Sequence, residues 1–347
     1  LICGDKNFIA ASIAVFIIYR QVKEAVMFTH LLVPLDGSTL AECVLPHVLS
    51  LAGALEARVT FFHALERPRD TGALNPIDPL RWQLKKREAE SYFEGLVMRF
   101  KAAGVRAEKV IEEGIPAECI INFANAHQAD LIVLSTHGLS GLSRWNISSV
   151  VQKIILRANK STLLVRAYES SAPKTSELCY QRLFIGLDCS ARAELVIPVA
   201  MRLASYYQAS VMLGTVIREP AILSRFPLDA SDMRLIEQIT ARNVQEATHY
   251  LKQVQSQLAQ IGVEIKTCLK IDRNEIATLH NMVAEEQADM VLLVAHGHAC
   301  LGRWPYGSVA SSFISYGTTS LLIMQDLSAG ELQVSQAELA TLQTQGH

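Results

Sequence analysis

No two cysteines in this 347-residue chain are spaced as CxxC, and the seven present (Cys3, Cys43, Cys119, Cys179, Cys189, Cys268 and Cys300) are scattered and odd in number. That pattern offers no disulfide framework and reads as reduced thiols in a cytoplasmic protein, most of them small buried hydrophobes. Charge of one sign is lacking as well. Lys and Arg number 32 against 34 Asp and Glu, the net charge is -2, and bases alternate with acids as in Lys85-Lys86-Arg87-Glu88. Without a basic stripe there is no electrostatic footprint for nucleic acid. The apolar run from Phe8 to Tyr19 falls short of the roughly 20 residues that cross a bilayer, so no membrane partner is expected. A secretory leader is also missing its marks: Asp5 and Lys6 cancel, and no Ala-x-Ala site follows. The G-x-G-x-x-G, G-x4-G-K-S/T and G-x-S-x-G signatures are absent, which disfavours a dinucleotide enzyme, a P-loop protein and a hydrolase of the nucleophile-elbow type. No pairing of base and nucleophile suggests an enzyme.

What is present is a repeat. Leu35-Asp36 and Pro46 recur 152 residues on as Leu187-Asp188 and Pro198. Gln128-Ala129-Asp130, His137-Gly138, Arg144-Trp145 and Ser149-Val150 recur 159 residues on as Gln287-Ala288-Asp289, His296-Gly297, Arg303-Trp304 and Ser308-Val309. Two copies of one domain explain this, with about one extra helical turn or a longer loop in the middle of the second. Half the residues are hydrophobic and the length suits roughly two domains, so each copy can bury a full core. The expected division is an apolar extension over 1–27 outside the fold, domains over 28–167 and 181–325, a linker over 168–180 and a polar tail over 326–347. Met27 is the expected natural start; a short apolar anchor or an extra helix is the alternative for the extension.

Within the first copy, HLLVPL (30–35) is a nearly continuous apolar run, as a parallel strand buried on both faces requires. Ser38 can cap the helix that follows, whose Leu40, Val44, Val48 and Leu51 share one face, and Pro46 within it predicts a kink. Strands are expected over 58–63, 105–111, 131–134 and 162–165, and helices over 80–103, 116–127 and 149–158. The second copy repeats the order with strands over 183–187, 210–216, 263–271, 290–294 and 320–324. Its helices fall over 194–206, within 231–260, and over 275–286 and 308–315. Strands alternating with helices predict a parallel sheet covered on both faces.

The loops after the fourth strands carry the chemistry. Glycines there let the backbone approach a ligand, and a Ser-Ser or Gly-Ser pair opening the next helix adds a hydroxyl to the positive end of the helix dipole. Such a loop suits a phosphate. Asp36, the His137-Gly138 turn and nine residues leading to Ser148-Ser149 resemble the universal stress proteins. Asp188, His296-Gly297 and nine residues leading to Gly307-Ser308 do so again, and the likeness covers nearly all of 28–325. It implies two tandem universal-stress-type domains, an α/β class that is Rossmann-like and adenine nucleotide alpha hydrolase-like, each with a five-stranded parallel sheet and helices on both faces. It implies an internal pseudo-dimer joined antiparallel through the last strands, with a further homodimer and an unidentified protein partner as open possibilities.

The family motif Gly-x2-Gly-x9-Gly-Ser/Thr marks members that bind ATP, and the resemblance therefore implies ATP, with Mg2+ where the phosphates carry it. By position, the implied contacts in the first copy are Pro34, Leu35, Asp36, Ala64, Leu134, Ser135, His137, Gly138, Ser148, Ser149 and Val150. In the second they are Gly186, Leu187, Asp188, Val216, Val294, His296, Gly297, Gly307, Ser308 and Val309. Both motifs depart from the pattern: Ser135 and Ser148 replace the first and third glycines of one copy, and Val294 the first of the other. A replaced glycine with left-handed backbone would cost about 1–2 kcal/mol, and a Cβ could block the phosphates, so the second copy keeps the better phosphate end.

Plainer readings stand beside these. Asp36 and Asp188 can cap the following helix, His137 and His296 can shape the turn through a backbone carbonyl, and Arg144 and Arg303 can be solvated rather than phosphate-bound. His296, His298 and Cys300 form only a weak metal pattern. The favoured function is a cytoplasmic stress-response protein that binds ATP or a related adenine nucleotide and changes partner contacts when occupied, with slow hydrolysis left open. The alternatives are a tandem scaffold with degenerate pockets, or a binder of another small ligand, apolar or a cyclic nucleotide.

Overall fold

The structure is a computed structural model that describes residues 28–66, 79–138, 147–167, 178–220, 229–298 and 305–327. The apolar run before Met27, the tail beyond 327, and Arg144, Arg303 and Cys300 lie outside the described residues.

The first copy runs β1 (His30–Pro34), α1 (Val44–Leu55), β2 (Arg58–Leu65), α2 (Pro79–Ala102), β3 (Ala107–Glu113), α3 (Pro116–Ala126), β4 (Leu131–Ser135), α4 (Ser149–Ala158) and β5 (Ser161–Val165). The second runs β6 (Arg182–Gly186), α5 (Ile197–Tyr207), β7 (Ser210–Arg218), α6 (Ala230–Leu258), β8 (Ile265–Asp272), α7 (Glu275–Glu285), β9 (Met290–Val294), α8 (Ser308–Tyr316) and β10 (Ser320–Met324). The longer middle of the second copy is mainly its helix: α6 has 29 residues where α2 has 24.

All ten strands form one sheet in the order β3-β2-β1-β4-β5-β10-β9-β6-β7-β8. Each copy contributes five parallel strands. The copies meet where β5 pairs antiparallel with β10, placing Leu164 opposite Leu321 and Leu163 opposite Leu322. That pairing removes two sheet edges that would otherwise expose unpaired backbone. Alternation along the strands divides the core. Val33, Val133, Leu163, Ile185 and Leu292 pack under α1, α2, α5 and α6, whereas Leu32, Ile132, Leu164, Phe184 and Leu293 pack under α3, α4, α7 and α8. A period of two on strands buried on both faces is what produces two apolar layers.

The repeated Gln-Ala-Asp has a structural cause. Gln128 and Gln287 are left-handed, with φ 50° and 49°. Each ends a helix and swings the next aspartate under the first strand of its copy. Asp130 Oδ2 accepts the N–H groups of Thr29 and His30 at 2.8 and 3.0 Å, and Asp289 Oδ2 accepts those of Gln181 and Arg182 at 2.6 and 3.2 Å.

The prolines do not kink their helices. Pro46 is the third residue of α1 and Pro198 the second of α5, inside the first turn where a missing N–H breaks no intrahelical bond. The irregularity lies just before them, as 3-10 turns at Ala41–Cys43 and Ala193–Val196. Ser38 does not cap α1, whose N-cap is Cys43; its Oγ instead accepts the Ala41 N–H at 3.1 Å at the head of the 3-10 turn, and Ser190 accepts that of Ala193 at 3.1 Å.

The end of the stretch assigned to the linker is part of the core. Tyr180 is 2% exposed, its hydroxyl meets His47 Nδ1 at 2.5 Å, and the Leu178 carbonyl accepts the Ser50 hydroxyl at 2.6 Å. These contacts join α1 to the start of the second copy. Arg202 of α5 adds a bond from Nε to the Ala54 carbonyl at 2.9 Å.

Candidate functional site

The first and fourth strands of each copy are sheet neighbours, so the turns that follow them lie side by side at the carboxyl end of the sheet. In open α/β sheets this is where ligands bind. The aspartate of the first turn folds back on its own chain. Asp36 Oδ1 accepts the Ser38 N–H and hydroxyl at 2.9 and 2.6 Å, and Asp188 Oδ1 accepts those of Ser190 at 3.0 and 2.6 Å. Asp188 Oδ2 also accepts the His298 N–H across the gap. A carboxylate offers about four lone-pair positions, so Asp188 retains capacity for one more donor after these three.

Between that aspartate and its serine the backbone is left-handed: Gly37 has φ 81°, and its counterpart Cys189 has φ 63°. A side chain in this conformation costs about 1–2 kcal/mol. Burial first, and then the Asp188 carboxylate, push the Cys189 thiol up to about 11, which keeps it protonated at neutral pH.

The replaced glycines of the loop motif carry no such strain. Ser135 and Val294 are the last residues of β4 and β9 and have ordinary backbone angles, and Ser148 and Gly307 sit at φ -59° and -69°. What differs between copies is capping. Ser148 Oγ accepts the Val151 N–H at 3.3 Å and closes the start of α4 with its own side chain. Gly307 has no side chain to do this, so the first-turn N–H groups of α8 are left without a side-chain cap. A Cβ built on Gly307 would lie 3.5 Å from the Ala295 carbonyl, an ordinary contact. The fold therefore has room for a Cβ at this position.

A cleft of about 820 Å³ opens over these elements in the second copy. Its wall includes Gly186, Leu187 and Asp188 after β6, Val216 on β7, and Val294, His296 and Gly297 at the end of β9. Gly307, Ser308 and Val309 complete it at the start of α8, so all ten positions singled out in this copy line one cavity. In the first copy Pro34, Leu35 and Asp36 end β1, Ala64 lies on β2, Leu134 and Ser135 end β4, and His137 and Gly138 form the turn. Ser148 caps α4, and Ser149 and Val150 open it. Ser135 is turned inward, donating its hydroxyl to the His137 carbonyl at 2.7 Å.

The Nδ1 atoms of both histidines meet side chains. His137 Nδ1 meets Thr136 Oγ1 at 3.1 Å, while His296 Nδ1 meets Asp326 Oδ1 at 2.8 Å with both side chains buried. Asp326 also accepts Arg192 Nη1 at 2.8 Å. Neither Arg192 nor Asp326 stood out in the sequence. The signal that could have found them is a charge in one copy at a place where the other has Leu40 or Ala167.

The far wall was also missed: Asn243, Glu246 and Tyr250 on α6, and Glu275 at the start of α7. Burial, followed by the Asp188 carboxylate, raises the Glu275 carboxyl, and burial followed by Glu194 raises the Tyr250 phenol. Among the described residues no three of His, Cys, Asp and Glu converge to hold a metal ion, and no helix is long and apolar enough to cross a membrane.

Known proteins share both the sequence and the fold. A universal stress protein of Bacillus subtilis is 30% identical over 149 residues, 40% of this chain and 100% of the relative. One from Methanocaldococcus jannaschii is 26% identical over 161 residues, 42% of this chain and 99% of the relative. The structure of a functionally unknown protein from Pseudomonas aeruginosa aligns with a TM-score of 0.63 at 13% identity, covering 89% of this chain and 98% of that one. A universal stress protein from Archaeoglobus fulgidus aligns at 0.58 and 15% identity over 86% and 99%. At such identities these two show the fold. The model of the universal stress protein family matches twice, over 27–166 and 180–325. With two matches spanning most of its length, one for each half of the sheet, the chain belongs to the universal stress protein family as a tandem of two such domains.

Proposed function

We propose that the cleft of the second copy binds ATP or a related adenine nucleotide, and that occupancy alters contacts with a protein partner during a cytoplasmic stress response. The observation that carries this reading is the start of α8. A helix N-terminus with a glycine in place of a capping side chain turns its first-turn N–H groups, which no N-cap side chain occupies, and the positive end of its dipole toward an anion, with the Ser308 hydroxyl beside them. The other end of the cleft suits a nucleoside. Leu187, Val216 and Leu279 offer apolar walls for a base, and Asp188 and Glu275 can accept bonds from an amine or a ribose hydroxyl. Mg2+, where present, travels on the phosphates. Among the described residues no base and nucleophile are paired at the cleft, and we read the protein as a binder rather than an enzyme.

The first copy has a different role in this reading. Ser148 occupies its own helix start, and Ser135 is turned into the protein. That half serves as the structural partner of the pseudo-dimer. Heat extraction of the purified protein followed by chromatography of the released nucleotide tests the proposal. Adenine nucleotide at about one per chain supports it; a clean extract together with no response to added ATP favours the scaffold. Recovery of a cyclic nucleotide or an apolar compound favours the third reading.

A further inference from the structure

The second copy differs from the first by a charged cluster, built on a buried carboxylate, that the fold does not require. Arg192, Asp326, His296 and Ala295 occupy the places of Leu40, Ala167, His137 and Thr136. In the first copy Thr136 Oγ1 meets His137 Nδ1 and accepts the Ala167 N–H, at 3.1 and 3.2 Å, with no charge involved. In the second copy the same ring nitrogen meets Asp326, whose side chain is 0% exposed and is held on its other oxygen by Arg192. Burying a carboxylate costs several kcal/mol unless donors compensate for the lost water. One chain thus folds the same motif twice, with a neutral and with a charged arrangement. The charged one sits in the copy that carries the open helix start.

The cluster lies at the phosphate end of the cleft. The Ala295 carbonyl accepts the Gly307 N–H at 2.8 Å, and the His296 Cα lies 3.8 Å from where a Gly307 Cβ would stand. Arg192 is the residue before the 3-10 turn that follows Asp188, and Asp326 follows β10 by two residues. Three separate segments are therefore pinned at one point beside the start of α8.

We infer that Arg192 and Asp326 are positioning residues that hold His296 and its turn at the anionic end of the ligand in the second copy, and thereby favour phosphorylated over unphosphorylated nucleosides. This rests on the nucleotide reading above. A carboxylate bonded to Nδ1 fixes the orientation of the ring and which of its nitrogens carries a proton, and through the ring it holds the turn that lines the cleft. The Arg192 guanidinium keeps the carboxylate itself from repelling the incoming anion.

The test is calorimetric titration of the full chain with Mg-ATP and, separately, with adenosine. Arg192→Leu combined with Ala295→Thr and Asp326→Ala rebuilds the first copy's neutral arrangement, which this fold accommodates in its other half. Arg192→Leu installs the residue found at position 40 and serves as an independent variant. The triple variant is expected to melt near the wild-type temperature, and Arg192→Leu, which strips a buried carboxylate of one donor, below it; both are expected to lose about tenfold in ATP affinity and to bind adenosine within about twofold of wild type. A purely structural role would weaken both ligands together, and that result overturns the inference, as does an unchanged ATP affinity. If the wild-type protein binds neither ligand, the nucleotide reading falls as well. If wild type binds ATP and the variants bind it equally, only the positioning role falls.

Discussion

Gly297 stands so close to Asp188 that a Cβ built on it would lie 2.2 Å from Asp188 Oδ2, and Gly138 stands in the same relation to Asp36 at 2.1 Å. The repeated His-Gly is thus a packing requirement: only a residue without a Cβ lets the carboxylate reach across to the neighbouring turn. Gly297→Ala is expected to destabilise the protein by about 1–3 kcal/mol, read as a lowered melting temperature. Adding Asp188→Ala should recover part of that loss by removing the colliding oxygen. Equal effects of the single and double variants would show that the clash is relieved in another way.

The junction between the copies should weaken in acid. His47 is buried against Tyr180, and burial depresses its pKa to about 4 from an ordinary 6.5. The unfolded chain takes up this proton near pH 6.5 while the folded chain resists it. The contribution is therefore fully present above about pH 6.5 and is lost as pH falls toward 4, amounting to up to about 3 kcal/mol. His30 and His280 are lowered chiefly by burial too, and their contributions run in the same direction. Denaturant melts of wild type and His47→Gln between pH 7 and 4.5 should converge as the pH falls; parallel curves would contradict the assignment.

Arg166, just after β5 of the first copy, ends a helix of the second. Its Nη1 and Nη2 donate to the carbonyls of Ile314 and Phe313 at 3.0 and 2.6 Å, near the C-terminus of α8, where a cation is favoured by the helix dipole. Arg166→Ala is expected to cost about 1–3 kcal/mol. Amide hydrogen exchange should show the last turn of α8 opening more readily while α4 of the first copy is unaffected. Uniform exchange over both helices would argue against a local cap.

The repeat made the fold legible. Strands with near-continuous apolar runs, such as His30–Pro34 and Met290–Val294, and stops such as Gly104 at φ 81°, are local properties that a sequence displays directly. The cleft positions of the second copy were legible for the same reason, since Asp188, His296-Gly297 and Gly307-Ser308 repeat at fixed spacing. Reading for what repeats hides what does not. Arg192 and Asp326 stand 134 residues apart, and meet only because β10 lies against β9 and β9 against β6. Tyr180 passed for linker because its burial depends on His47 and Tyr207, residues of both copies. Pro46 and Pro198 suggested kinks because the 3-10 turns ahead of them leave no mark in hydrophobic spacing.

The central claim is that the uncapped start of α8 makes the second copy the nucleotide site. Titration of wild type, Gly307→Ser and Gly307→Val with Mg-ATP tests it most directly. The account predicts one site per chain with a dissociation constant near micromolar, about -8 kcal/mol. It predicts that Gly307→Ser, which supplies the cap that Ser148 provides in the first copy, melts at or slightly above wild type while losing most of its affinity, and that Gly307→Val loses binding altogether. Wild-type protein that takes up no ATP, or a Gly307→Val variant that binds as tightly as wild type, would contradict it.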